Sequence, residues 1–155
     1  MTKRTAGEFE NELDEDERRV TKLMKRIMTE FRARMNERLQ PYGVTTAQVR
    51  LLGTIRHAPG SSGAQLSRLC EITPQSAQAL IQRAEEAGWI VREKDQVNDR
   101  ILTATLTPEG EKILKTADRV LRSIESKLWQ DIPPQKLAAV IKVLETCLGN
   151  LTEEG

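Results

Sequence analysis

Between Gly63 and Gly110 the chain has an order that few folds accommodate. Two short helical patterns lead to a stop at Gly88, a ribbon with a charged tip, and the run Leu106-Thr107-Pro108-Glu109-Gly110. Ser62 is placed to cap the first helix, with Leu66 and Leu69 inward. Thr73 is placed to cap the second, with Pro74 at the first helical position, where a missing N–H costs nothing. The second helix is predicted to run to Ala87 and to close at Gly88. On it Ala77, Leu80, Ile81 and Ala84 recur at i, i+3, i+4 and i+7 and form a core side. Gln75, Gln78, Ala79 and Gln82 fall on the opposite side, flanked by Ser76 and Arg83. A solvated helix face usually carries Glu and Lys; these first turns carry uncharged amides around a small alanine. Such a face suits base edges, because a glutamine amide bonds adenine in two places at once. Preceded by a short helix and followed by a ribbon, it reads as the recognition helix of a winged helix-turn-helix.

The ribbon is read from Trp89-Ile90-Val91-Arg92 and from the alternating run Ile101 to Leu106. Between them the polar stretch Glu93 to Arg100 holds the turn-prone Asp95, Asn98 and Asp99. Arg92, Lys94 and Arg100 lie within nine residues. Glu93, Asp95 and Asp99 can balance them in an ordinary charged hairpin. Alternatively Arg100 enters a narrow minor groove, whose negative potential attracts a guanidinium. Thr73, Arg50, Arg56, Arg68, Arg83, Lys94 and Asn98 are further candidates for the DNA backbone or groove edge, where contacts position a protein without reading sequence.

Long helices flank this region. Val20, Leu23, Met24, Ile27, Met28, Phe31, Met35 and Leu39 step by three and four, predicting a helix from about Asp14 to Leu39 that Pro41 and Gly43 end. A stripe of that length exceeds what a small domain buries, so part of it is expected to meet a second subunit. Its methionines serve as core filler or line an adaptable ligand pocket. The acidic run Glu8 to Glu17 reads as a frayed lead-in. Thr46 is the expected cap of the next helix, with Val49, Leu51, Leu52 and Ile55 on its buried side. After Pro108 a further long helix carries Ile113, Leu114, Ala117, Val120, Leu121, Ile124, Leu128 and Trp129. Pro133-Pro134 breaks it, and a last helix carries Leu137, Val140, Ile141, Leu144, Leu148 and Leu151.

Composition narrows the function. The 155 residues carry a net charge of +1, so any basic footprint must be local. No apolar run approaches the roughly 18 to 20 residues that span a bilayer and no signal peptide is visible, which predicts a cytoplasmic protein without membrane contact. The lone His57 has no ligand-spaced neighbours, so no metal site is expected and His57 is read as structural. With no nucleophile–base pair and no phosphate-cradling glycine loop, no catalytic residue and no enzyme activity are expected. Cys70 and Cys147 follow helical apolar patterns and read as reduced, partly buried thiols; Arg68 near Cys70 leaves a redox sensor as an alternative.

Residues Val44 to Gly110 resemble the winged helix-turn-helix of the MarR family of bacterial transcriptional regulators. The resemblance rests on the order and spacing of Thr46-Ala47-Gln48, Gln65-Leu66-Ser67-Arg68-Leu69, Ile72-Thr73-Pro74-Gln75-Ser76, Glu86-Ala87-Gly88-Trp89-Ile90 and Leu106-Thr107-Pro108-Glu109-Gly110. The long flanking helices are similar to that family's dimerisation helices, so it covers nearly the whole chain. It implies a mostly α fold with a small β-wing: a lead-in and dimerisation helix over 1–43, the DNA-binding lobe over 44–107, and C-terminal dimerisation helices over 108–155. The implied function is a homodimeric, ligand-responsive repressor on a pseudo-palindromic operator in double-stranded DNA, with Thr73–Ala87 in the major groove and the Arg100 wing in the flanking minor groove. It further implies no cofactor but a small hydrophobic or phenolic effector between the dimerisation helices and the lobe, lined by Met24, Met28 and Phe31. The family's wing commonly carries an Asp two residues before an Arg; here Asn98 precedes Arg100, and an uncharged acceptor holds it less firmly. A winged helix used only for protein contact is the other alternative.

Overall fold

The computed structural model describes residues 6–152, with side chains described from Asp14 onward. Helix α1 spans Ala6–Leu39. It continues through the acidic run expected to fray; Asp14 and Arg18 pair there at 2.8 Å, one helical turn apart. A 3-10 turn at Gln40–Tyr42, with Pro41 inside it, ends the helix. Gly43 then takes a left-handed φ of 67°, and its N–H donates to the Gln40 carbonyl.

Helix α2 spans Thr46–His57, and its cap is Thr45, not Thr46 as the sequence suggested. The Thr45 hydroxyl accepts from the Gln48 N–H at 3.3 Å while the Gln48 side-chain oxygen accepts from the Thr45 N–H at 2.9 Å, a reciprocal arrangement that satisfies both donors. Thr46 is instead the first helical residue, and Asn36 of α1 accepts from its N–H. Ser61–Ser62 form a short strand β1, and α3 follows at Gly63–Leu69 with Ser62 and Gln65 making a second such box. Leu66 points inward as expected, but Leu69 is 54% exposed and Cys70 takes the inward place, its thiol donating to the Thr54 hydroxyl at 3.4 Å. Helix α4 spans Pro74–Glu86, and Gly88 leaves it at a φ of 74°.

Strands β2 (Ile90–Lys94) and β3 (Leu102–Leu106) form an antiparallel hairpin in which Arg92 faces Ala104 and Lys94 faces Leu102. The sheet has a third member absent from the sequence reading, for β1 pairs with β3 and gives the order β1-β3-β2. Helix α5 spans Pro108–Leu128 and α6 spans Pro134–Thr152. Thr107 ties the root of the wing to α5: its hydroxyl donates to the Gly88 carbonyl at 2.6 Å and accepts from the Gly110 N–H at 3.1 Å. Gly110 must be glycine for this, because a Cβ there would overlap the Trp89 carbonyl oxygen.

By compactness the chain divides into Met1–Leu121 and Arg122–Gly155. The core of the first unit is Leu51, Leu52, Ile55, Leu66, Ile81, Ala84 and Ile90, each at most 2% exposed. The stripe of α1 joins it only at its end, through Met35 and Leu39. Upstream, Val20, Leu23, Met24, Ile27 and Met28 are exposed and Phe31 is half-buried. In the second unit α6 leaves Val140, Ile141, Leu144, Leu148 and Leu151 exposed.

Candidate nucleic-acid interface

The site is built on α4. Thr73 caps it through two bonds to Ser76, accepting from its N–H at 3.1 Å and donating to its hydroxyl at 2.9 Å. Pro74 supplies the first helical residue without leaving an unpaired donor. The turn from α3 is held by Ser67, which is buried and donates its hydroxyl to the Ile72 carbonyl, while the Ile72 N–H donates back to the Ser67 carbonyl. Glu71 adopts a φ of 51° between them, the tight reversal that brings two helices together at an angle. This role of Ser67 lies outside the sequence expectations.

The two faces of α4 separate as the periodicity predicts. Ala77, Ile81 and Ala84 are buried and Leu80 is half-buried. Gln75, Ser76, Gln78, Ala79 and Gln82 are all exposed on the outer face. Burial of the first set fixes the rotation of the helix, so the amides cannot turn inward without exposing Ile81. Gln78 and Arg68 share an open cleft of about 300 Å³ with Gly63, Ala64, Ser67 and Pro74, which places a base-reading candidate beside a phosphate candidate. Gln82 differs from its neighbours, donating its side-chain amide to Glu86 at 3.0 Å.

The remaining cations are dispersed. Arg50 approaches Glu71 at 3.7 Å and Arg56 approaches Asp118 at 4.0 Å, both as exposed pairs of the kind a phosphate can displace at little cost. Arg83 lines a larger open cleft, about 650 Å³, with Asn36, Glu37, Thr46 and Leu80. Met24, Met28 and Phe31 are not among the residues lining that cleft.

At the wing, Lys94, Asn98 and Arg100 are exposed and Arg92 is half-buried. Asn98 does bond Arg100, but through its side-chain oxygen and the Arg100 backbone N–H at 3.2 Å, so the contact shapes the turn. The residue that organises the tip is Asp95, whose carboxylate accepts from the N–H groups of Val97 and Asn98, each at 3.0 Å. Its N–H donates to the Ile101 carbonyl, closing the loop. By sequence Asp95 is turn-prone and a charge balance. An Asp followed by polar residues at a strand end is the signal for this role, since its carboxylate captures backbone donors two and three residues on. Among the described residues no group of three or more His, Cys, Asp or Glu is placed to hold a metal, and no helix is long and apolar enough to cross a membrane.

Comparison with known proteins agrees with this geometry. The sequence model described as MarR family matches residues 42–101, the stretch from the end of α1 to the wing tip. The HTH-type transcriptional repressor Rv2887 of Mycobacterium tuberculosis is 30% identical over 106 residues, which cover 68% of this chain and 76% of the relative. Among solved structures, the MarR family transcription regulator SP03579 superposes with a TM-score of 0.81 at 20% identity, covering 94% of this chain and 98% of its own. A mutant MarR of E. coli complexed with operator DNA gives 0.71 at 20% identity, covering 83% and 93%. At that identity the structural likeness speaks for the fold, and the mycobacterial relative carries the family. The chain belongs to the MarR family of winged-helix, DNA-binding transcriptional regulators.

Proposed function

We propose that the protein is a repressor that binds a pseudo-palindromic operator as a homodimer. The observation that carries this is the outer face of α4, five amide or small side chains held outward by a buried face one half-turn away. Each subunit then lays α4 in a major groove, with half-sites about one helical turn apart. The exposed stripe of α1 and the exposed face of α6 supply the apolar surface that a permanent pair needs. Relatives bearing the name of repressor support the direction of regulation. The reading assigns no catalytic step and places the protein with its DNA in the cytoplasm. It includes a small hydrophobic or phenolic effector near Met24, Met28 and Phe31, to be sought as a rise in Tm on adding a panel of phenols.

Gln78 tests the base-reading role. Gln78→Ala is expected to relax sequence preference, costing about 1–3 kcal/mol on the selected duplex and nothing on scrambled DNA. Equal weakening on both would remove Gln78 from the reading face. Arg100 tests the wing. In a dimer, Arg100→Ala should lower affinity on all duplexes and shift the slope of log K against log salt by roughly 2, at about 0.9 per phosphate contact. An unchanged slope over a salt series makes the hairpin a bystander.

A further inference from the structure

The three glutamines of α4 are not equivalent. Gln82 donates from its side-chain nitrogen to a carboxylate oxygen of Glu86 at 3.0 Å, one helical turn on, and both side chains lie on the exposed surface. Gln75 and Gln78 carry no side-chain bond of this kind among the described residues. The chemistry fixes the sense of the contact. An ionised carboxylate only accepts, so the NH2 of the amide must face Glu86 and its carbonyl oxygen must face away. We infer that Glu86 is a positioning residue that orients the Gln82 amide to present an acceptor to the DNA, making Gln82 selective for the bases that show an amino donor in the major groove.

In the major groove adenine offers N6–H2 and cytosine N4–H2, while guanine O6 and thymine O4 are acceptors. A carbonyl oxygen aimed outward bonds the first two. It meets the second two oxygen to oxygen, and one amide hydrogen is already committed to Glu86. A free glutamine has no such bias, because half a turn about its last torsion exchanges donor and acceptor. Adenine gains further, since the second amide hydrogen can still reach N7. Gln75 and Gln78 remain free to turn and so should tolerate more bases. Glu86 also adds a negative charge near the phosphates, which lowers affinity for every duplex alike. The two effects separate: the charge acts on all sequences, the orientation on one base pair.

This inference rests on the base-reading role of α4 proposed above, and the test keeps the two apart. Full-length protein is first selected against a pool of duplexes with a randomised centre, and the base pair whose preference changes in Gln82→Ala is located. Affinities are then measured for duplexes carrying each of the four bases there. Glu86→Ala should reduce the preference for adenine and cytosine over guanine and thymine by between about twofold, the worth of an exposed i,i+4 pair, and roughly fivefold, the worth of a base contact. The reduction should come chiefly from improved binding of the guanine and thymine duplexes. Glu86→Gln removes the charge but keeps an acceptor, so its preference should fall between those of the native protein and Glu86→Ala. In a Gln82→Ala background, Glu86→Ala should raise all four affinities equally. If Gln82→Ala alters no base preference, the reading of Gln82 falls and the inference with it. If Gln82→Ala abolishes a preference that Glu86→Ala leaves intact, only the inference is overturned.

Discussion

The winged-helix lobe and the long helices use the same kinds of apolar residue to opposite ends. In the lobe, Leu52, Leu66 and Ile81 are at most 1% exposed, whereas on α1 Leu23 is 49% and Met28 55% exposed, and on α6 Leu148 is 63% exposed. All of them follow helical periodicity, so periodicity alone does not say whether a stripe is satisfied within its own chain. Length does. A helix of 34 residues, at about 1.5 Å per residue, is longer than a small lobe can cover, and among the described residues its upstream stripe stays exposed. The lobe carries its own stability; the stripes carry a demand for a partner.

The largest effect that would test this contrast is at the proposed dimer surface. Leu23→Asp places a charge in that surface once per subunit, and an unpaired buried charge costs several kcal/mol, about 3–5 by comparison with broken ion pairs. Sedimentation at micromolar concentration should show the native protein as a dimer and the variant as a monomer with its lobe still folded. A native protein that sediments as a folded monomer would break the contrast. Next comes the lobe. Ile81→Ala opens a cavity behind the reading face and should cost about 2–5 kcal/mol of unfolding free energy in denaturant titration. Smallest is the cap of α2, where Thr45→Ala should cost about 1 kcal/mol and Thr46→Ala distinctly less. Reversal of that order would return the cap to Thr46.

Where the sequence was legible, a local rule had one solution. Thr73, Pro74 and Gly88 bound α4 with chemistry that leaves no alternative end beyond a residue, and the core side of α4 lies where its spacing puts it. The illegible places had two. Leu69 and Cys70 stand three and four residues after Leu66, so both fit an inward stripe. In so short a helix nothing local breaks the tie, and the thiol went in beside Thr54. Thr45 and Thr46 compete as caps; the deciding signal was Gln48, three residues after Thr45, which completes a capping box only with it. Strand β1 consists of two serines with little preference for a strand, and exists because β3 lies beside it. At the reading face, the helical wheel finds which residues point outward but gives Glu86 no part in it. It has no means of showing that a side chain one turn away has turned an amide. The wing tip failed in a similar way: Asn98 was expected to hold a guanidinium, and its nearest donor was the backbone.

The join at Gly110 gives the wing mechanical leverage. Thr107 clasps Gly88 on one side and the first turn of α5 on the other, and Gly110 lets that turn sit against the Trp89 carbonyl without a side chain between them. The root of the hairpin and the start of α5 therefore tilt together. A strand of five residues reaches about 17 Å at roughly 3.3–3.4 Å per residue, so a tilt of about 10° at the root swings the tip by about 3 Å. That displacement is as long as a hydrogen bond. Because Thr103 and Ala104 of β3 also pair with β1, such a tilt carries the sheet of the lobe with it, and Arg100 moves into or out of reach of a groove only as that sheet moves.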